Sequence, residues 1–144
     1  MRAEKYFHIA KAAAEHDSNC YNKKGAVIVK SGFVVSTACN KAPIGIQSCI
    51  SRGFCLKRSE GYEHGNGHES CLAIHAEVNA ILKAQIAEVS LKGAKMYCTH
   101  KPCFGCMKLL INYGINEVYY LEDYPDKMAD MLAAEAGIKI MQIN

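Results

Sequence analysis

The chain has 144 residues, of which half are hydrophobic and 22% are charged, a composition typical of a globular protein. Lysine and arginine outnumber aspartate and glutamate by 17 to 14, and a net charge of +3 does not by itself indicate a nucleic-acid binder. No apolar run approaches the ~20 residues that cross a bilayer, and the N-terminal stretch carries charges throughout, unlike a signal peptide. We therefore expect one cytoplasmic domain over residues 1–144, with no membrane or nucleic-acid partner.

Helical and strand patterns alternate along most of the chain. In chain order, the predicted elements are a helix at 3–15, strands at 26–30 and 33–37, a helix at 72–86, a strand at 94–99, a helix at 103–113, a strand at 117–121, a helix at 125–136 and a strand at 138–143. Ser31-Gly32 marks a hairpin, and Gly114 and Gly137 end helices. This order predicts an α/β fold, a three-layer α/β/α sandwich whose five-stranded mixed sheet is largely parallel.

Residues 40–71, the Cys/His-rich segment, interrupt this pattern. The segment is rich in glycine and lacks regular periodicity. Because so long a loop is uncommon in a compact domain, we expect an additional interaction to order it. Cys49, Cys55, His68 and Cys71 are four ligands suited to a structural zinc. Cys20 could replace one of them, and buried free thiols with a surface histidine are the alternative. With eight cysteines and no signal peptide, a reduced compartment and metal binding are favoured over disulfides.

The strongest chemical signal joins His75-Ala76-Glu77 to Pro102-Cys103-Phe104-Gly105-Cys106. Each group lies near the start of a predicted helix, where the helix dipole favours thiolates. His75, Cys103 and Cys106 would leave the fourth position of a tetrahedral zinc open, the arrangement of a catalytic site. Cys-x-x-Cys alone could instead be redox-active or structural, but a structural zinc normally has four ligands and does not need Glu77.

The position of Glu77 sets a geometric condition on this site. Two residues along an ideal helix correspond to roughly 200° of rotation, so His75 and Glu77 lie on nearly opposite sides. Both can reach one metal only if it lies beyond the N-terminus of their helix. The metal must likewise lie beyond the N-terminus of the helix that carries Cys103 and Cys106. Two helix N-termini must therefore face one point. Glu77 is the candidate general base, which would take a proton from water and pass it on to the substrate.

This H-x-E…P-C-x-x-C signature resembles that of the zinc-dependent cytidine deaminase superfamily. The stretches ACNKAPIGIQSC, HAEVNAI, YCTHKPCFGC and INYGINEVYYLEDY are most similar to deoxycytidylate deaminases. The resemblance implies a cytidine deaminase-like fold, His75, Cys103 and Cys106 as zinc ligands, and Glu77 as the proton shuttle. It also implies that Asn40 contacts the sugar hydroxyl, that the Ala76 N–H holds the pyrimidine carbonyl, and that Tyr124 lies near the phosphate.

By resemblance, the chain would hydrolyse deoxycytidylate to deoxyuridylate and ammonia, as a homo-oligomer that is often hexameric among such enzymes. Some relatives carry a second zinc in an insert, and some bind an allosteric nucleotide, for which magnesium would be a further cofactor. This sequence departs from the family at Ala38, Cys39 and Lys41. Lys41 replaces a glycine of the nucleotide-binding loop, so it either removes regulation or adds a phosphate contact.

The sequence motifs are also compatible with other functions. The substrate could be free cytidine or deoxycytidine, a riboflavin-pathway pyrimidine, or adenosine in transfer RNA. A non-catalytic zinc module used for protein contacts is a further alternative, against which the acidic side chain of Glu77 argues.

Overall fold

The computed structural model of the chain describes residues 2–62 and 71–144. Its elements are α1 (Arg2–Asp17), β1 (Gly25–Lys30), β2 (Phe33–Cys39), α2 (Cys49–Arg52), α3 (Leu56–Ser59), α4 (Ala76–Ile86), β3 (Lys95–His100), α5 (Phe104–Asn112), β4 (Glu117–Glu122), α6 (Lys127–Ala136) and β5 (Lys139–Gln142). Among these residues, no helix combines the length and apolarity that a membrane span requires.

The five strands form one mixed sheet in the order β2-β1-β3-β4-β5. Strand β1 pairs antiparallel with both β2 and β3, whereas β3, β4 and β5 are parallel. At the hairpin between β1 and β2, Ser31 has φ 52° and Gly32 has φ 80°. Positive φ at both central residues suits the twist of a tight hairpin. The predicted parallel sheet opened by an antiparallel hairpin is thus confirmed.

Alternating side chains of β1 divide the core between the two faces of the sheet. Val27 and Val29 pack with α1, while Ala26 and Ile28 belong to the larger cluster that includes α4, α5 and α6. Three layers result, with one helix on the first face and three on the other. The predicted α/β/α sandwich is confirmed, and the larger cluster lies under the helices that carry His75 and the cysteines.

Two predicted helix starts are wrong. The helix predicted from Leu72 begins only at Ala76, because the backbone N–H and C=O of Ile74 bond to Lys41 and cannot join a helix. The helix predicted from Pro125 begins at Lys127, because the carboxylate of Asp126 caps it by accepting a hydrogen bond from the Ala129 N–H at 3.0 Å.

The described part of the Cys/His-rich segment is more regular than its sequence suggests. It contains the two four-residue helices α2 and α3, which are too short to produce a periodic pattern. Lys41, near its start, forms an isolated antiparallel bridge with Ile74, three residues beyond its end. This bridge fixes the chain immediately before His75.

Gly25 lies where α1 crosses β1, and only glycine fits there. A Cβ atom at this position would lie 1.9 Å from the carbonyl oxygen of Ala10 in α1. We predict that Gly25→Ala lowers the free energy of unfolding by about 1–3 kcal/mol, because backbone atoms must move to relieve the clash. Urea unfolding of the purified protein measures this change.

The matched control is Gly105→Ala in α5, where an added Cβ meets no heavy atom within 4 Å. It should leave stability unchanged or raise it by up to ~1 kcal/mol, since alanine is the better helix former. Equal stabilities of the two variants would contradict the assigned contact between α1 and β1.

Candidate active site

Two helices begin at one point beside the carboxyl end of β3. His75 is the N-cap of α4 and Cys103 is the N-cap of α5, both with extended backbone (φ −61°, ψ 150° and φ −76°, ψ 175°). Neither side chain caps its own helix. Both are instead turned toward the same space, as the spacing of the motifs required.

Asp126 supplies part of the capping that Cys103 does not provide. Its Oδ2 accepts a hydrogen bond from the Phe104 N–H at 2.8 Å, while its other carboxylate oxygen caps α6. One carboxylate therefore joins the starts of α5 and α6. Because a negative charge at a helix N-terminus is favourable, Asp126 stabilises the cysteine helix without occupying the site.

The three predicted ligands are close enough to hold one metal ion. Nδ1 of His75 lies 3.3 Å from Sγ of Cys106 and 3.6 Å from Sγ of Cys103. All three ligand atoms lie within 4.8 Å of one another. Tetrahedral zinc with ordinary Zn–N and Zn–S bonds places neighbouring ligand atoms about 3.5–3.8 Å apart. The donor set and its spacing thus fit zinc.

Hydrogen bonding within this triad sets the protonation of the side chains. The hydrogen bond from Cys106 lowers the pKa of Cys103 to about 3, and that bond together with burial raises the pKa of Cys106 well above its usual value. Hydrogen bonds to Cys103 and Cys71 raise the pKa of His75 to about 10. The Cys103 thiolate is therefore strongly favoured, which suits a metal ligand.

Glu77 lies in the first turn of α4 and is 4% exposed. Burial raises the pKa of its carboxyl group, and the neighbouring His75 and a hydrogen bond with Cys106 oppose the shift. A carboxyl group with a raised pKa is a stronger base than an exposed one, which suits a group that accepts a proton and returns it. The carboxyl group thus lies beside the metal-ligand triad without being one of its three members.

Two adjoining cavities open onto this centre. The inner cavity, about 240 Å³, is lined by Glu77, Cys103 and Lys101, among others. The outer groove is larger, about 600 Å³ including its open mouth, which is a size typical of small-ligand sites. Lys24, His75 and Tyr124 line both, so the two spaces meet at these residues.

Asn40 lines the outer groove, but most of its amide is already used. Its Oδ1 accepts hydrogen bonds from the Ser18 hydroxyl at 2.7 Å and the Lys24 N–H at 2.9 Å. Its Nδ2 donates to the carbonyl oxygen of Asn22 at 2.8 Å. Asn40 therefore holds the 18–24 loop in place, and one amide N–H remains for a ligand.

Tyr124 is buried against Cys103 and Cys106. The Nζ of Lys24 lies 5.2 Å from its ring centroid, and burial raises the pKa of its hydroxyl to about 12. The hydroxyl therefore stays protonated and can donate a hydrogen bond. Ala76 begins α4 and is buried beside His75, so its N–H belongs to the unpaired first turn of a helix. Lys41 does not line either cavity within the described residues.

The cysteines of the Cys/His-rich segment lie near Cys20. The charges of Cys71, Cys49 and Cys55 all raise the pKa of the Cys20 thiol, after the larger effect of burial. Within residues 2–62 and 71–144, however, only the His75–Cys103–Cys106 group brings three ligand atoms within 4.8 Å of one another. His68, the remaining predicted ligand of a second zinc, lies outside the described residues.

Sequence reasoning missed two features of the site. A hydrogen bond with His75 lowers the pKa of Cys71, so this thiol lies between the two groups of cysteines. Lys101 is 9% exposed and forms ion pairs with Asp130 and, at 4.0 Å, with Asp123. Only the position of Lys101 directly before Pro102 could have drawn attention to it, because its partners are distant in sequence.

Comparison with known proteins identifies the family. Residues 1–122 match the model of the cytidine and deoxycytidylate deaminase zinc-binding region. The chain belongs to this family. The resemblance predicted from the two motifs is therefore confirmed, and zinc is the metal of this family.

Individual relatives agree with this assignment. The chain is 36% identical to the deoxycytidylate deaminase of Mycobacterium phage D29, across 81% of this chain and 91% of the phage protein. It is 32% identical to the deoxycytidylate deaminase of Schizosaccharomyces pombe, across 96% of this chain but only 43% of the yeast protein. Among solved structures, the dCMP deaminase of cyanophage S-TIM5 in apo form superposes with a TM-score of 0.75 at 25% identity, covering 98% of this chain and 96% of that one.

Proposed function

We propose that this deaminase hydrolyses deoxycytidylate to deoxyuridylate and ammonia. The observation that carries the proposal is a buried carboxyl group, Glu77, beside a zinc-suited triad at the floor of an open groove. Relatives named deoxycytidylate deaminase, similar along most of the chain, support the choice of substrate. The groove is large enough for a nucleotide.

The residues that would hold zinc are His75, Cys103 and Cys106. When bound, zinc supplies a nucleophile by lowering the pKa of a water molecule. Zinc binding would displace the protons of His75 and Cys106, because only the deprotonated groups are ligands. The resulting two thiolates and neutral imidazole would cancel the charge of the ion, so the pKa of the water would fall less than at a three-histidine site and a nearby base would contribute more to catalysis. The buried Glu77 is the group positioned to provide that base.

Glu77 would move protons in two steps. It first accepts the proton of the attacking water and delivers it to the ring nitrogen N3 of the cytosine, while oxygen bonds to C4. It then takes the remaining proton from the hydroxyl group on C4 and passes it to the exocyclic amine, so that the C4–N bond breaks, the C4 carbonyl forms and ammonia leaves. Burial raises the pKa of this carboxyl group, which makes it a stronger base toward the proton of the water.

Three further residues are proposed to orient the nucleotide. The Ala76 N–H, at the start of α4, would donate to the pyrimidine carbonyl. Asn40 would use its remaining amide N–H on the sugar hydroxyl. Tyr124, which lines both cavities, would lie near the phosphate.

A second, structural zinc is proposed for the Cys/His-rich segment. Its candidate ligands are Cys49, Cys55, His68 and Cys71, with Cys20 as the alternative to one of them. The effect of the Cys49, Cys55 and Cys71 charges on the pKa of Cys20 supports it, because it shows that these thiols lie near one another. We also propose a single domain over residues 1–144 and a homo-oligomer, of which a hexamer is the expected form. Magnesium would be required only with an allosteric nucleotide. A cytoplasmic location is supported by all eight cysteines being free thiols.

The substrate proposal is tested by ammonia release from deoxycytidylate, deoxycytidine and cytidine, each added to the zinc-loaded protein. We expect the highest kcat/KM with deoxycytidylate, because its phosphate adds contacts that the nucleosides lack. Turnover of the nucleosides without turnover of the monophosphate would reject the proposal. Inactivity toward all three would favour a transfer-RNA or riboflavin-pathway substrate, or a non-catalytic zinc module.

Glu77→Gln tests the proton shuttle. The amide keeps the size of the side chain but cannot carry the proton, so we expect kcat to fall by about 100-fold or more with zinc content unchanged. Glu135→Gln is the matched control, since Glu135 is exposed on α6 and far from the motif in sequence. A normal rate in Glu77→Gln would exclude the assigned role.

Metal analysis tests the second site. Purified protein should contain about two zinc ions per chain, and Cys49→Ser should reduce this to about one and lower the melting temperature, because structural zinc contributes to folding. Cys39→Ser, at a buried thiol outside both cysteine groups, should retain two. A wild-type content near one would remove the second site from the proposal.

A further inference from the structure

The outer groove carries three lysine and arginine side chains at the edge of the active site. Lys24, Lys57 and Arg58 line it, and no carboxylate is among the described residues that do so. Lys57 and Arg58 do not reach the inner cavity, which holds Glu77 and Cys103. These two side chains therefore lie on the outer side of the groove, away from the reacting centre.

Lys57 is the least expected of these residues, because it is only 9% exposed. Within residues 2–62 and 71–144, neither Lys57 nor Arg58 forms an ion pair. Lys101, equally buried, pairs with Asp130 and Asp123. A buried charge is unfavourable unless a counter-charge accompanies it. An anion bound in the groove would supply that counter-charge for Lys57.

The local backbone explains how adjacent cations come to face the groove. Both belong to α3, whose N-cap residue, Cys55, also lines the groove. After this short helix the chain turns back, with the Gly61 N–H donating to the Arg58 carbonyl at 2.9 Å and the Tyr62 N–H to the Lys57 carbonyl at 3.3 Å. The position of the charges thus depends on the Cys/His-rich segment and not on the zinc-binding motifs.

We propose that Lys57 and Arg58, with Lys24 across the groove, bind the 5′-phosphate of the substrate nucleotide. This inference rests on the proposed function, because it takes the pyrimidine to lie over the zinc centre. The base then occupies the inner cavity beside Glu77, the sugar passes Asn40, and the phosphate, near Tyr124, reaches the cations. A nucleoside would not supply that counter-charge, so these residues determine the preference for nucleotide over nucleoside.

Lys57→Met tests the assignment, because methionine keeps a long unbranched stem and removes the charge. We expect KM for deoxycytidylate to rise about tenfold or more, the usual loss for a charged hydrogen bond. The kcat at saturation, and kcat/KM for deoxycytidine, should stay within about twofold. Arg58→Gln should raise KM as well. Lys57→Arg, which keeps the positive charge, should retain the wild-type KM. Lys11→Met, exposed on α1, removes the same charge elsewhere and should change neither constant.

The outcomes separate this inference from the function it rests on. If the wild-type protein deaminates deoxycytidylate and its KM is unchanged in Lys57→Met and Arg58→Gln, the phosphate assignment is wrong and the proposed function stands. If the wild-type protein deaminates deoxycytidine but not deoxycytidylate, both are wrong. A lower zinc content and melting temperature in Lys57→Met, with equal decreases in kcat/KM for both substrates, would give Lys57 a structural role beside the thiols near Cys71. That result would overturn the inference.

Discussion

The active site depends on two helices that start at the same point. His75 and Cys103 are N-cap residues, yet neither forms the capping hydrogen bond that serine or aspartate forms at such positions. The protein gives up local helix stability there so that an imidazole and a thiolate can point along the helix axes to a shared centre. Asp126 and the first-turn Glu77 restore negative charge at the two N-termini, where it is electrostatically favourable.

That arrangement requires a rigid support, and the sheet provides it. Strand β1 is fully buried from Gly25 to Val29 and pairs on both sides, so it occupies the interior of the sheet. Gly25 also allows α1 to pack closely on its outer face. On the other face, Asn79 of α4 donates to the carbonyl oxygen of Cys39 at 2.9 Å, which fixes the helix against the end of β2. The position of Glu77 in α4 follows from these contacts.

Much of this could be predicted from sequence because the signals are local. The hairpin at Ser31-Gly32 and the helix end at Gly137 each follow from backbone preferences of one or two residues. The clustering of His75, Cys103 and Cys106 was predictable because His75 and Cys103 each belong to a short motif at a helix start. The start of α4 was predicted wrongly at Leu72 because the deciding contact is not local. Ile74 has helical spacing, but its backbone bonds to Lys41, which is distant in sequence.

The surroundings of the triad could not be predicted in the same way. The resemblance implied a sugar contact for Asn40, but only the structure shows that its amide also holds the 18–24 loop. The burial of Lys57 likewise depends on how a short helix is placed, and no periodic pattern encodes that placement. Long-range packing determined these features, whereas the chemistry of the motif did not.

The bridge between Lys41 and Ile74 has a consequence for how such an enzyme can diversify. Its two hydrogen bonds, of 3.1 and 2.7 Å, join the chain on either side of residues 42–73 at one place. The intervening chain therefore leaves the scaffold and returns to it at this one place. Because loop closure depends only weakly on loop length, the bridge can hold the backbone before His75 in place when the length of the intervening chain changes. The proposed phosphate contacts of Lys57 and Arg58 can therefore change without a change in the zinc-suited triad.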